Sequence, residues 1–124
     1  MLENKTVLVT GASGGLGALV ARQLVDEGAR VTALGRNRPD TDMDFLPHDL
    51  STPAGIEAAA KDVGQRRWDI LVNLAGVQHF GPVETEDSES LVAGYMVNLV
   101  APVRLTQAVL PGMKAQGQGQ IVNI

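Results

Sequence analysis

At 124 residues the chain is long enough for one domain with a real core and too short for two. Its 44% hydrophobic and 19% charged residues are an ordinary globular balance, and a net charge of -4 argues against non-specific binding to nucleic acid or to an anionic membrane surface. With no cysteine there is neither a disulfide framework nor a thiolate metal site, which fits a reducing, cytoplasmic setting; no apolar run approaches the roughly 18 residues of a membrane span, and no His, Asp or Glu cluster has metal-ligand spacing.

Strands and helices are predicted in alternation. Thr6–Thr10 is an apolar, β-branched run that suits a strand covered on both faces. Leu16, Leu19, Val20 and Leu24 follow at helical spacing, and Gly28 stands where a C-terminal cap is expected. Val31–Leu34 reads as a second strand and Asp44–Leu46 as a short third. Thr52-Pro53 reads as the N-cap and first-turn proline of a second helix, with Ile56, Ala59, Ala60 and Val63 on one face. Trp68 is expected on the sheet rim, just before a fourth strand over Asp69–Leu74. Leu91, Tyr95, Leu99, Pro102, Leu105, Val109 and Met113 trace one long helical stripe. Pro102 is expected to break or kink it, so that a further helix begins near Ala101. A turn over Gly117–Gln120 leads to a fifth strand, Ile121–Ile124. The alternation implies right-handed crossovers and an α/β fold: a doubly wound, mostly parallel, Rossmann-like sheet with five strands present.

The first strand dissolves into Gly11-Ala-Ser-Gly-Gly-Leu-Gly17, four glycines in seven positions. In a doubly wound sheet a ligand sits outside the carboxyl ends of the strands, where strand order reverses. The turn leaving the first strand is therefore tight and close to that ligand, and glycine tolerates both conditions. The helix that begins near Gly15-Leu16 adds unpaired N–H groups and the positive end of its dipole, a site for pyrophosphate.

A strict G-x-G-x-x-G is absent. Thr10-Gly-Ala-Ser-Gly-Gly-Leu-Gly17 instead matches T-G-x-x-x-G-x-G, and with that pattern the chain resembles the short-chain dehydrogenase/reductase family. Asn73-Leu-Ala-Gly76 stands where the family has N-N-A-G, with Leu74 in place of the second asparagine. Gly11, Gly14 and Gly17 also fit T-G-x-x-G-x-x-G, the pattern of the family's extended branch, whereas Asn73–Gly76 favours the short, single-domain branch. The resemblance covers the whole chain. It implies cofactor contacts at Gly11, Ser13, Gly15, Leu16 and Gly17, at Asp49 and Leu50 beside adenine, and at Asn73, Ala75 and Gly76. It also implies that Asn98 is a catalytic asparagine that helps to hold a water.

An acid at the end of the second strand would bond the ribose hydroxyl of NAD, and an arginine there accommodates the 2′-phosphate of NADP. This chain reads Leu34-Gly35-Arg36-Asn37-Arg38, so NADP is favoured over NAD, with Ser13 a second donor to the phosphate. The competing reading is that Arg36 and Arg38 only solvate a loop. The family transfers hydride between the cofactor and a carbonyl or alcohol substrate, using a serine and a Tyr-x-x-x-Lys that follow the fifth strand. The only tyrosine here, Tyr95, is followed four residues later by Leu99 and reads as part of the helical stripe.

Residues 1–124 are therefore expected to be the cofactor-binding part of a longer single-domain enzyme, inactive alone and, when intact, a homo-oligomer through the long helix. A non-catalytic NAD(P)-binding module is the alternative. His79 and His48 are expected to be a solvated loop residue and part of a strand-end turn.

Overall fold

The computed structural model describes residues 1–124. Five parallel strands form one sheet in the order β3-β2-β1-β4-β5. Their spans are β1 Thr6–Thr10, β2 Arg30–Gly35, β3 Asp44–Pro47, β4 Ile70–Asn73 and β5 Gln120–Asn123. Each lies within a residue or two of its expected place. Beginning at β1, the chain builds outward to β3, then returns to lay β4 on the other side of β1. Strand order thus reverses between β1 and β4.

Alternation along the central strands sends side chains into two cores. Val7, Val9, Val31, Ala33 and Val72 pack on one face with Ala21 of helix α1, Gly15–Asp26. Leu8, Leu34 and Leu71 point to the other face. There they meet Ile56, Ala59 and Val63 of α2, Pro53–Gly64, and Leu105, Val109 and Met113 of α4, Ala101–Gln116. Trp68 belongs to this second core. It is 4% exposed and donates its indole N–H to the carbonyl of Val63 at 3.0 Å, so the rim position expected for it is incorrect.

The helix ends follow local chemistry. Gly28 adopts φ 93° and closes α1: its N–H donates to Val25 and that of Ala29 to Leu24, the paired bonds of a Schellman motif. Thr52 caps α2 by accepting from the Gly55 N–H at 3.0 Å, with Pro53 in the first turn. The expected face of α1 is partly wrong. Leu16 and Leu19 are exposed, and Gly17 and Ala21 are the buried positions, because only small residues fit where α1 crosses the glycine turn.

The long stripe also divides. Helix α3, Ser88–Tyr95, runs without a break through a π turn, Met96–Val100, into α4. The N–H of Ala101 reaches back five residues to the carbonyl of Met96. Pro102 carries no N–H for the carbonyl of Asn98, and the wider turn makes room for its ring. No residue of α3 is buried, and burial begins within the π turn. Val97, Ala101, Leu105, Val109 and Met113 lie inside, whereas Leu91, Tyr95 and Leu99 point outward. Two α-helices thus meet at the π turn beside Pro102, and α4 begins at Ala101 as expected.

The difference in burial predicts opposite results for two leucines on one helical segment. Leu105 is fully buried and Leu99 is 56% exposed. Leu105→Ala should cost about 2–5 kcal/mol in denaturant unfolding, and Leu99→Ala should stay within about 0.5 kcal/mol of the wild type.

Candidate functional site at the carboxyl ends of the strands

The exits of β1 and β4 are drawn together at the point of strand reversal. Thr10 is buried, and its Oγ1 accepts from the N–H groups of Leu74 at 3.1 Å and Ala75 at 3.0 Å. Gly11, at φ 74°, lies so near the β4 exit that a Cβ there would sit 2.8 Å from the backbone of Ala75. A Cβ at Gly17 would fall on the carbonyl oxygen of Gly11. These two glycines are thus required by packing inside the chain.

Gly14 and Gly15 are different. A Cβ on either meets nothing within 4 Å. Gly15 still needs glycine for its φ of 56°, in the left-handed region. Gly14 has extended backbone that any residue adopts, at φ -170° and ψ 172°. It caps α1 with no side chain, so the first N–H groups of the helix face open space.

Above the β1 and β2 ends lies a cleft of about 490 Å³. Of the residues expected at the site, Gly11, Ser13, Arg36, Asp49, Leu50, Ala75 and Gly76 line it. Gly15, Leu16, Gly17, Asn73 and Asn98 do not. Leu50 turns its side chain into the core, which leaves its backbone toward the cleft.

Arg36 forms no ion pair or hydrogen bond within the chain. Arg38, for which the competing reading is a solvated loop residue, lies over the ring of Phe45 at 5.5 Å and donates to the carbonyl of Met43 at 3.5 Å. Asp49 accepts from the Ser51 hydroxyl and N–H. These bonds hold its carboxyl below the usual carboxylate range, with a smaller pull from Arg36. His48 also lines the cleft and is paired with Asp62 at 2.9 Å. His79 is exposed and hydrogen-bonds the Thr85 hydroxyl at 3.1 Å.

Asn73 and Asn98 shape a neighbouring hollow of about 560 Å³ together with Ala75, Gly76 and Asn123. The Asn73 amide donates to Asn123 Oδ1 at 2.9 Å, and its own Oδ1 is buried without a partner. Asn98 holds the loop after β4 by both backbone polar groups of one residue, Val77. Its Oδ1 accepts from the Val77 N–H at 2.9 Å and its Nδ2 donates to the Val77 carbonyl at 2.7 Å.

This geometry has counterparts in known proteins. The family model for short chain dehydrogenase matches residues 5–124. The chain belongs to the short-chain dehydrogenase family. It is 41% identical over 124 residues to a coniferyl-alcohol dehydrogenase of Pseudomonas sp., covering 99% of this chain and 44% of that one. It is 34% identical over 140 residues to a D-beta-hydroxybutyrate dehydrogenase of Cupriavidus necator, covering 100% of this chain and 54% of that one. The chain thus spans about half the length of the curated relatives it matches. A metagenomic short-chain oxidoreductase solved in complex with NADP superposes with a TM-score of 0.86 at 36% identity, over 98% of this chain and 61% of that one. A short chain dehydrogenase of Leptospira borgpetersenii with bound NAD+ superposes at 0.84 with 28% identity, over 98% and 51%. No helix is long and apolar enough to cross a membrane.

Thr10, Gly14 and Ser51 lie outside the expected set of site residues, although Thr10 and Gly14 stand inside the glycine motif. Thr10→Val removes the acceptor for two half-buried N–H groups at nearly constant shape. It should lower unfolding free energy by about 1–3 kcal/mol, whereas Thr10→Ser should retain most of it. A Thr10→Val protein as stable as the wild type would show that the hydroxyl does not hold the two exits together.

Proposed function

We propose that this chain is the cofactor-binding part of an oxidoreductase that transfers hydride between NADP(H) and a small-molecule carbonyl or alcohol. The observation that carries this reading is Gly14. Neither its backbone angles nor any neighbour within the chain requires a glycine, so the missing side chain is best explained by clearance for a ligand. A pyrophosphate fits there, against the uncapped N–H groups of α1 and their dipole.

The remaining assignments extend from that point. Gly11, Gly15, Leu16 and Gly17 shape the turn and present the start of α1 to the phosphates. Ser13 and Arg36 stand where a ribose 2′-phosphate would lie, and Arg36 is favoured over Arg38 because Arg38 is already engaged with Phe45. Asp49 and the backbone of Leu50 take the adenine. Ala75 and Gly76 carry the floor of the cleft toward the nicotinamide end. Asn73 braces β4 against β5, and Asn98 fixes the Val77 peptide that borders that end. The catalytic role implied for Asn98, holding a water, falls to its backbone carbonyl, since its side-chain amide is taken up by Val77 and Pro102 gives that carbonyl no helical donor. When bound, the nicotinamide supplies or accepts the hydride; the residues here bind it, orient it and border the substrate. Homo-oligomerisation and a cytoplasmic setting belong to the same reading.

Gly14→Val places a branched side chain in open space on unstrained backbone. The expected outcome is an unchanged melting temperature with NADPH affinity reduced at least about tenfold, read by fluorescence titration. Unaltered affinity would remove the pyrophosphate from this turn. Gly15→Val should lose both, because its left-handed φ opposes a β-branched residue.

Cofactor choice rests on Arg36. A charge-assisted contact to phosphate is worth about 1.5–3 kcal/mol, or roughly one to two decades in affinity. Arg36→Asp removes that attraction and repels the phosphate, so the preference for NADPH over NADH should reverse. Titrating both cofactors against both proteins decides it; a wild type that prefers NADH contradicts the assignment.

A further inference from the structure

The wall of the cleft between β3 and α2 contains a contact that binding the cofactor does not by itself require. Asp49 Oδ1 accepts twice from Ser51, from its N–H at 2.9 Å and from its hydroxyl at 2.6 Å. Asp49 Oδ2 accepts from no group of the chain. Both residues line the cleft and both are half-buried.

Helix α2 does not need the Ser51 hydroxyl. Its N-cap is Thr52, whose own hydroxyl serves the Gly55 N–H. Nor does the Asp49 backbone need it, because the start of α2 packs directly on the Asp49 carbonyl, with no room for a Cβ at Gly55. The hydroxyl therefore acts on the carboxylate alone. A lone carboxylate turns about two side-chain bonds. Two donors on one oxygen fix its plane and leave the second oxygen as the acceptor offered to the cleft. The same two donors and the nearby Arg36 keep the group ionised, so that it accepts and does not donate.

A ligand that matches a single fixed acceptor presents an N–H donor in a planar ring system, as the exocyclic amino group of adenine does. We propose that Ser51 is a positioning residue that makes the cleft selective for a 6-aminopurine by holding Asp49 with Oδ2 toward the base. The proposal rests on the placement of adenine at Asp49. Ser51 acts through the carboxylate it bonds, so its effect falls on the amino group and spares the phosphates and the nicotinamide.

The test compares NADPH with its analogue lacking the purine 6-amino group, titrated against the wild type, Ser51→Ala, Ser51→Thr and Asp49→Ala, with a melting curve for each protein. The wild type should bind NADPH about tenfold more tightly than the analogue, the scale of one hydrogen bond to a charged group. Ser51→Ala should bring that ratio to within about twofold of unity by weakening NADPH alone, and Ser51→Thr should restore it. Asp49→Ala should abolish it. If Ser51→Ala weakens both ligands equally and keeps the ratio, while Asp49→Ala abolishes it, Ser51 has only a structural role and the proposal is overturned with the adenine placement intact. If Asp49→Ala keeps the ratio, or the wild type shows none, the adenine does not lie at Asp49 and both ideas fall.

Discussion

The structure depends on one close approach, that of the β1 exit to the β4 exit. Parallel neighbours diverge where each turns into its own helix, and here they are held together past the end of the sheet. Thr10 does this with a hydroxyl that accepts from two backbone N–H groups, and Gly11 by having no side chain to keep Ala75 away. Gly17 then lets α1 settle on the carbonyl of Gly11. With those three contacts made, the start of α1 has one available position, above the reversal of strand order. That is where a doubly wound sheet binds its ligand. The glycines of the turn thus divide between two tasks. Gly11 and Gly17 serve the packing, and in the proposed reading Gly14 keeps the approach to the helix terminus clear.

A second constraint acts through the long helix. A π turn inserts one residue at Met96–Val100, next to Pro102, where the helix first buries side chains. On the far side, Leu105, Val109 and Met113 complete the core over β4 and β5. On the near side the turn presents Asn98 to the loop after β4, where its amide captures both polar groups of Val77. A regular α-helix would lack the extra residue and aim position 98 elsewhere. The local departure from α geometry is therefore the means by which a core helix also shapes the edge of the cleft.

Much of this is legible in the residues. β-branched runs locate the strands because parallel strands are buried on both faces. Thr52-Pro53 and Gly28 mark helix ends because capping is local chemistry. The glycine motif, Asn73–Gly76 and Asn98 place the chain in its family before any coordinates. What periodicity misreads is set by tertiary packing. Leu16 and Leu19 lie at helical spacing but on the side of α1 that no part of the chain covers, while the buried side must be small to cross the glycine turn. Leu91, Tyr95 and Leu99 extend the stripe in the sequence, but no part of the chain covers them. Trp68 reads as a rim residue until the Val63 carbonyl is seen to satisfy its N–H inside the core. Thr10 is plain as a motif letter, but its two long-range acceptor bonds appear only when β1 and β4 stand side by side.

The central claim is that a dinucleotide lies across the carboxyl ends of β1, β2 and β4 with its pyrophosphate on α1. Backbone amide resonances followed during an NADPH titration test it most directly, since they report the whole chain at once. The account predicts shifts that saturate together at Gly14, Gly15 and Leu16, at Arg36, and at Asp49 and Leu50, while the amides of α4 beyond Leu105 stay in place. Shifts confined to the hollow beside Asn73 and Gln107, or a glycine turn that does not respond at saturating NADPH, would contradict it.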